Sequence, residues 1–432
     1  MEKDAAIEHA NALTGILSAQ KSGGLLDEIA WPREVEERFF ADGADALPCP
    51  PVASAQGRYD GEIADLVAAR EGLHGDSPIF AFFRASLDSA IDKLRLLSSV
   101  GTAEFGKVSR EIYGGAQTAF LGKTKLSLAD HLLDRVAAHG WDRDRRMPAA
   151  EIDAIGLRER FASRVAGRRG LDLKFVVDPD LTSKAIAGAT RVRIREGATF
   201  HAWEVEGLYR HEVETHAFTA QNGAAQRHMP FLKSGGPRAT ETQEGLAVFA
   251  ELYHHALATP RLCRLALRVK MVGLAEDGAS FLDVYRALVN DHGAAPHDAF
   301  LDAQRIFRGG DVRGGSVFTK DTVYISGLLR VYAFLSVFVR GGFRDECELV
   351  MAGRIDLDDI TALVSLDRLG LIGRPKLLPR WLKDWETLLP YFAFTSFLGG
   401  VDLAPVEAGY RDLIATSEAM ARDVRDERSR TR

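Results

Sequence analysis

A chain of 432 residues, 46% hydrophobic and 27% charged, can bury one large or two medium cores, which excludes wholesale disorder. A formal charge of −6 lends no support to a polyanion-binding role, so no nucleic-acid partner is expected. Three scattered cysteines (Cys49, Cys263, Cys347) without a C-x-x-C pair support neither a disulfide framework nor a thiolate zinc site, and fit a reducing compartment.

The first residues, MEKDAAIEHANALTGILSAQ, mix acids and polar groups where a signal peptide carries a basic start and an apolar run, so a cytoplasmic protein is expected. Apolar spacings of three and four predict helices over 62–73, 82–100 and 126–140, the last capped at Gly140. A Pro- and Ala-rich stretch, 42–57, reads as an ordered loop or short linker. The character changes near 171. Segments 171–180 and 189–198 are the strand candidates, the second alternating Val192 and Ile194 with arginines. A long helical stretch then runs to a stop at Asn222-Gly223. From 240 onward the chain reads as almost all helix, broken at Gly309-Gly310, Gly314-Gly315, Gly341-Gly342 and Pro390. The apolar run 323–339 has Arg330 at its middle, a costly placement in lipid, so a buried helix is expected and no membrane partner. The charged, aperiodic end frays, with 426–432 as a tail. The predicted architecture is α+β and mostly α-helical. A helical N-terminal region, 1–170, precedes a catalytic part, 171–425, whose small sheet lies beside the helix holding YRHEVETHAF, 209–218.

That decapeptide poses a geometric problem. The zinc-peptidase motif H-E-x-x-H spaces its histidines by four, which leaves them roughly 40° apart on a helix. His211 and His216 are five apart, roughly 140° on a regular helix and too far to share an ion. One wide turn near Val213–Thr215 would restore a common face, with Glu212 beside it. The next helix, ATETQEGLAVFAELYHHAL, opens with a capping-box pattern, Thr240 and Gln243. Glu244 in its first turn is either a helix-dipole complement or a third ligand delivered by a second helix. Two histidines and one glutamate leave the open fourth position that catalytic zinc requires. Glu251, His254 and His255 are fallback ligands; Glu251, two turns on, is expected to be solvated or to stand behind a ligand.

HEVETH followed by TQEGLA (242–247) resembles the QEGLA-motif proteins, whose bacterial members carry the label "flavohemoglobin expression-modulating". Animal relatives of that family include the microtubule-associated tyrosine carboxypeptidases, which are zinc peptidases. TAQNG (219–223) and FTKDTVYISG (318–327) also look like family segments, and the likeness is weakest in the N-terminal third. The widened spacing has a precedent in the dipeptidyl peptidase III zinc peptidases. The resemblance implies a zincin-like fold, zinc held by His211, His216 and Glu244, Glu212 as general base, and a structural role for Glu214. It does not imply action on tubulin, since no basic microtubule-binding extension is evident.

Downstream, RIFRGGDVRGGSVFTKDTVYISG (305–327) places Lys320 and Tyr324 four apart on one helix face. Tyr324 suits an oxyanion donor, and Lys320, Arg308 or Arg313 suits a substrate's terminal carboxylate; a salt-bridged, glycine-hinged loop is the plainer alternative. Asn222 and Gln243 read as caps, with Gln243 able to orient a ligand. The function expected is a zinc-dependent peptidase, a carboxypeptidase acting on a peptide or protein C-terminus. The alternatives are a regulatory or scaffold protein with structural or no zinc, and a metal-dependent amidase on a small molecule.

Overall fold

Alternation in the second strand candidate is realised as Arg191–Arg195, with Val192 and Ile194 fully buried and the arginines on the opposite face. The computed structural model describes residues 2–398 except 21, 52–54, 140–149, 169, 180 and 182. In it β1 (Lys174–Asp178) pairs parallel to β3 (Arg191–Arg195), while β2 (Ala185–Ala187) pairs antiparallel on the other side of β3. The order β1-β3-β2 leaves β2 at an edge. With three residues, β2 is too short for alternation to announce it. Two further two-stranded ladders occur, Ala119–Phe120 with Lys123–Thr124 and Ile152–Asp153 with Thr199–Phe200.

Everything else in the described residues is helix and connection, an α+β, mostly helical fold as expected. The three early helices form as Asp60–Glu71, Pro78–Ser98 and Lys125–Ala138, the anticipated Gly140 cap lying outside the described residues. Residues 1–383 make one compact unit, with packing that runs across position 170. Ile152 pairs with Phe200, and Ser109 Oγ lies 3.0 Å from Thr319 Oγ1. The second unit begins at Asp384; its described part is the helix Trp385–Leu398, which continues through Pro390 where a break is expected. Proline removes one ladder hydrogen bond there without forbidding the turns on either side. The tail 426–432 lies outside the described residues.

Two long helices cross at the heart of the first unit. Thr240–Tyr253 packs along Val323–Arg340 at Gly245 and Gly327. A Cβ on Gly245 would lie 2.3 Å from the Gly327 carbonyl oxygen, so only glycine admits this approach. The stretch Thr319–Arg340 is long and apolar enough to cross a membrane, and half of that window is buried. Its Arg330 reaches Asp356 at 2.8 Å and Asp358 at 2.6 Å.

Two expected caps are corrected. A 3-10 turn, Pro237–Ala239, runs straight into the second helix, so Thr240 is already helical and cannot cap it. Gln243 Oε1 accepts from Thr219 Oγ1 at 2.8 Å instead, tying the helix that carries His211 and His216 to the one that carries Glu244. Asn222 does not stop its helix, which runs to Ala224; its amide donates to the Met351 and Leu377 carbonyls, both at 2.8 Å.

Candidate metal centre

The segment carrying HEVETH is one continuous helix in three parts: α-helix Ala202–Leu208, π-helix Tyr209–Ala217 and α-helix Phe218–Ala224. The widened turn that the histidine spacing demands is therefore present. It sets the His211 and His216 rings 4.8 Å apart between centroids. From the facing helix, Glu244 Oε2 comes 3.4 Å from His211 Nε2 and 3.7 Å from His216 Nε2. All three ligand-type atoms lie within 4.8 Å of one another. Two ligands each about 2 Å from a tetrahedral ion stand about 3.3 Å apart, so the donor set and its spacing fit zinc. The buried Glu244 Oε2 and Glu212 Oε2 have no hydrogen-bond partner, as expected of oxygens facing an ion or a substrate.

Two of the three side chains, His211 and Glu244, are held from behind. His211 Nδ1 lies 2.7 Å from Glu251 Oε1, which fixes the ring with Nε2 toward Glu244. Glu251 in turn is gripped by Arg261 at 3.3 Å. Glu251 is 2% exposed, so the expected solvated placement is corrected, and its carboxylate stands behind the His211 ring. Burial penalises charge on His211, yet the Glu244 and Glu251 carboxylates overcome it and push its pKa up to about 10. Burial also opposes ionisation of Glu244, but Lys320 and the two histidines hold its carboxyl well below the usual range. A buried anionic hole with this balance attracts a cation, whether proton or metal.

The other expected residues separate. Tyr324 lines the cavity beside the cluster, and its oxygen accepts from Arg305 Nη2 at 3.3 Å, leaving its own hydrogen to donate. Lys320 reaches the cavity too, but its ammonium is committed to Glu244 Oε1 at 2.7 Å. Arg308 and Arg313 are corrections. Arg308 is buried against the Phe318 ring, Arg313 is an exposed loop residue near Asp311, and neither lines the cavity. Glu214 is locked between Arg210 and Arg168, a structural use. His254 and His255 lie beyond the end of their helix and away from the cavity.

The cavity, about 240 Å³, has a wall built outside the HEVETH and TQEGLA motifs. Arg261, Arg264 and Arg268 project from one face of the helix Thr259–Glu276, joined by Arg305, Arg195 and Lys184. Those six cations face five carboxylates outside the His211–His216–Glu244 cluster: Glu204, Glu212, Glu251, Asp298 and Asp302. The spacing 261, 264, 268 was a legible signal, since three and four residues return a side chain to one helix face. A larger cavity of about 700 Å³ meets the first at His216, Glu244 and Lys320.

A mostly helical α+β protein with a buried two-histidine, one-glutamate cluster at the mouth of an arginine-lined cavity is the class that this fold and site define. The chain belongs to the family described as microtubule-associated tyrosine carboxypeptidase, whose model matches residues 37–400. Membership implies peptidase activity of the carboxypeptidase type. A comparison with curated proteins found no match.

Proposed function

We propose that the protein is a zinc-dependent carboxypeptidase that uses His211, His216 and Glu244 as ligands. The observation that carries this reading is the π-helix, Tyr209–Ala217, which turns two badly spaced histidines toward one carboxylate. When bound, zinc would supply Lewis acidity, polarising a carbonyl and making water a better nucleophile. The remaining work falls to side chains. Glu212, on the same wide turn with a partnerless buried oxygen facing the cavity, takes a proton from the attacking water. The water oxygen bonds to the scissile carbonyl carbon, and the Tyr324 hydroxyl donates to the oxygen that gains charge. The C–N bond then breaks, and Glu212 returns the proton to the departing amine. Arg261 and Arg264 supply the positive wall that a free terminal carboxylate needs.

Metal analysis of the purified protein should find about one zinc per chain. With a peptide library read by mass spectrometry, single residues should leave from the C-terminus. Glu212→Gln should lower turnover by roughly 10²–10⁴-fold while zinc stays bound, since the base is lost and the ligands are not. Full activity in that variant would refute the mechanism, and internal fragments would refute the carboxypeptidase assignment.

A further inference from the structure

Residues ahead of 37 lie outside the family match, yet part of them crosses the catalytic cleft. The helix Glu2–Ala19 seats Ala6, Ala10 and Leu13 in the core, and Thr14 Oγ1 donates to the His228 carbonyl at 3.0 Å. At the near end of the following segment, Ser22 Oγ accepts from Lys93 Nζ at 2.9 Å, on the helix Pro78–Ser98. At the far end, Asp27 Oδ1 accepts from Arg193 Nη2 at 3.1 Å, on β3. Ile29 and Trp31 then enter the core, Trp31 against Phe281 and Phe300. The chain between these anchors passes from the helical bank of the cleft to its sheet bank. Midway, Leu26 lines both cavities, and they meet where Leu26 and Ile186 stand with His216, Glu244 and Lys320.

A chain segment fixed at both ends over a passage makes a closed ring. We propose that Ser22–Glu28 is a strap that restricts this enzyme to free chain ends, with Leu26 its specificity-determining residue. A polypeptide threads beneath Leu26 end first, its last residue entering the arginine-walled 240 Å³ cavity and the preceding residues lying in the 700 Å³ one. A chain with no end cannot thread. The proposal rests on the peptidase reading for its substrate, but it concerns entry, and binding alone tests it.

The test uses the full chain, zinc-loaded, in a Glu212→Gln background so that nothing is turned over. A fluorescent linear peptide with a free C-terminus is compared by anisotropy with the same sequence closed head to tail. The linear form should bind at least about tenfold tighter. In Leu26→Gly with Asp27→Ala, both outside the core, the strap loses its central side chain and its tie to β3, and the cyclic form should approach the linear one. Leu26→Trp, which narrows the passage, should instead weaken the linear peptide, and melting curves check that both variants fold. Equal binding of linear and cyclic peptides to the parent, or no binding of either, overturns the strap. The expected binding pattern together with no hydrolysis by the chain carrying Glu212 would leave the strap standing and remove the peptidase reading.

Discussion

Gly245→Ala isolates the contact that positions Glu244, the proposed third ligand. Alanine favours helix over glycine by about 1 kcal/mol, so on propensity alone the substitution should stabilise. The packing opposes it. The new Cβ would sit 2.3 Å from the Gly327 carbonyl oxygen and 2.4 Å from its carbon, whereas ordinary contact begins near 3.4 Å. Both groups are backbone, so no rotamer change relieves the clash, and the helices must part by about 1 Å. Overpacking of this kind costs about 1–3 kcal/mol, which offsets the propensity gain and leaves a net loss of about 0–2 kcal/mol. Glu244 is the neighbouring residue. A shift of about 1 Å loosens the 2.7 Å bond to Lys320 and opens the 3.4 and 3.7 Å spacings to the histidines, so zinc affinity should fall about tenfold or more. Urea denaturation of the metal-free protein and competition with a chromophoric chelator measure the two effects. Gly15→Ala is the control, with nothing within 4 Å of its Cβ in an exposed helical position, and should gain about 0.5–1 kcal/mol. A Gly245→Ala protein as stable as its parent, with the same zinc affinity, would refute the reasoning.

Glu251→Gln keeps the shape but weakens the acceptor behind His211, and zinc affinity should drop about 10–100-fold in the same competition assay; no change would mean the His211 ring is oriented by packing alone. Arg264→Gln thins the cationic wall while Arg268 still pairs with Asp302, so KM for a free-acid peptide should rise about tenfold and that for its C-terminal amide should not; an equal rise in both would exclude a carboxylate contact. Burial, then nearby Arg210, push the His254 pKa down to about 4 from 6.5. Between those values the unfolded chain binds the proton that the folded one refuses, so stability is full above pH 6.5 and is lost as pH falls toward 4. His254→Gln should flatten the melting temperature across that window by the equivalent of about 1–2 kcal/mol, and an unchanged slope would place the sensitivity elsewhere.

What could be read from the residues was periodicity and chemistry. Val192 and Ile194 announced a strand, and the five-residue histidine spacing demanded a wide turn, because one ion cannot be shared across a helix. Ala185–Ala187 is an edge strand of three residues, set by its neighbour more than by its own pattern. Thr240 carries a capping pattern that the preceding turn overrides, and Asn222-Gly223 resembles a stop until distant carbonyls claim the asparagine side chain. Arg308 and Arg313 are close to Tyr324 in sequence but do not line the cavity. The arginines that reach the cavity are three from another helix, together with Arg305 on the helix Pro296–Phe307 and Arg195 on β3. Tertiary packing decides these cases, and single-segment reading has no access to it.

Lys320 illustrates how the same residue changes meaning once neighbours are known. A lone lysine near a proposed site invites a substrate role, but burial makes its charge expensive without a fixed partner. Its partner is one oxygen of Glu244, and the other oxygen is left between two histidine nitrogens. A carboxyl so deeply buried would otherwise take up a proton and cease to be a ligand, so the lysine keeps it ionised. Glu244 therefore depends on a cation 76 residues away in sequence, much as His211 depends on Glu251 and Arg261. The proposed ligand set is three residues, but the electrostatic unit that makes it one includes Lys320, Glu251 and Arg261.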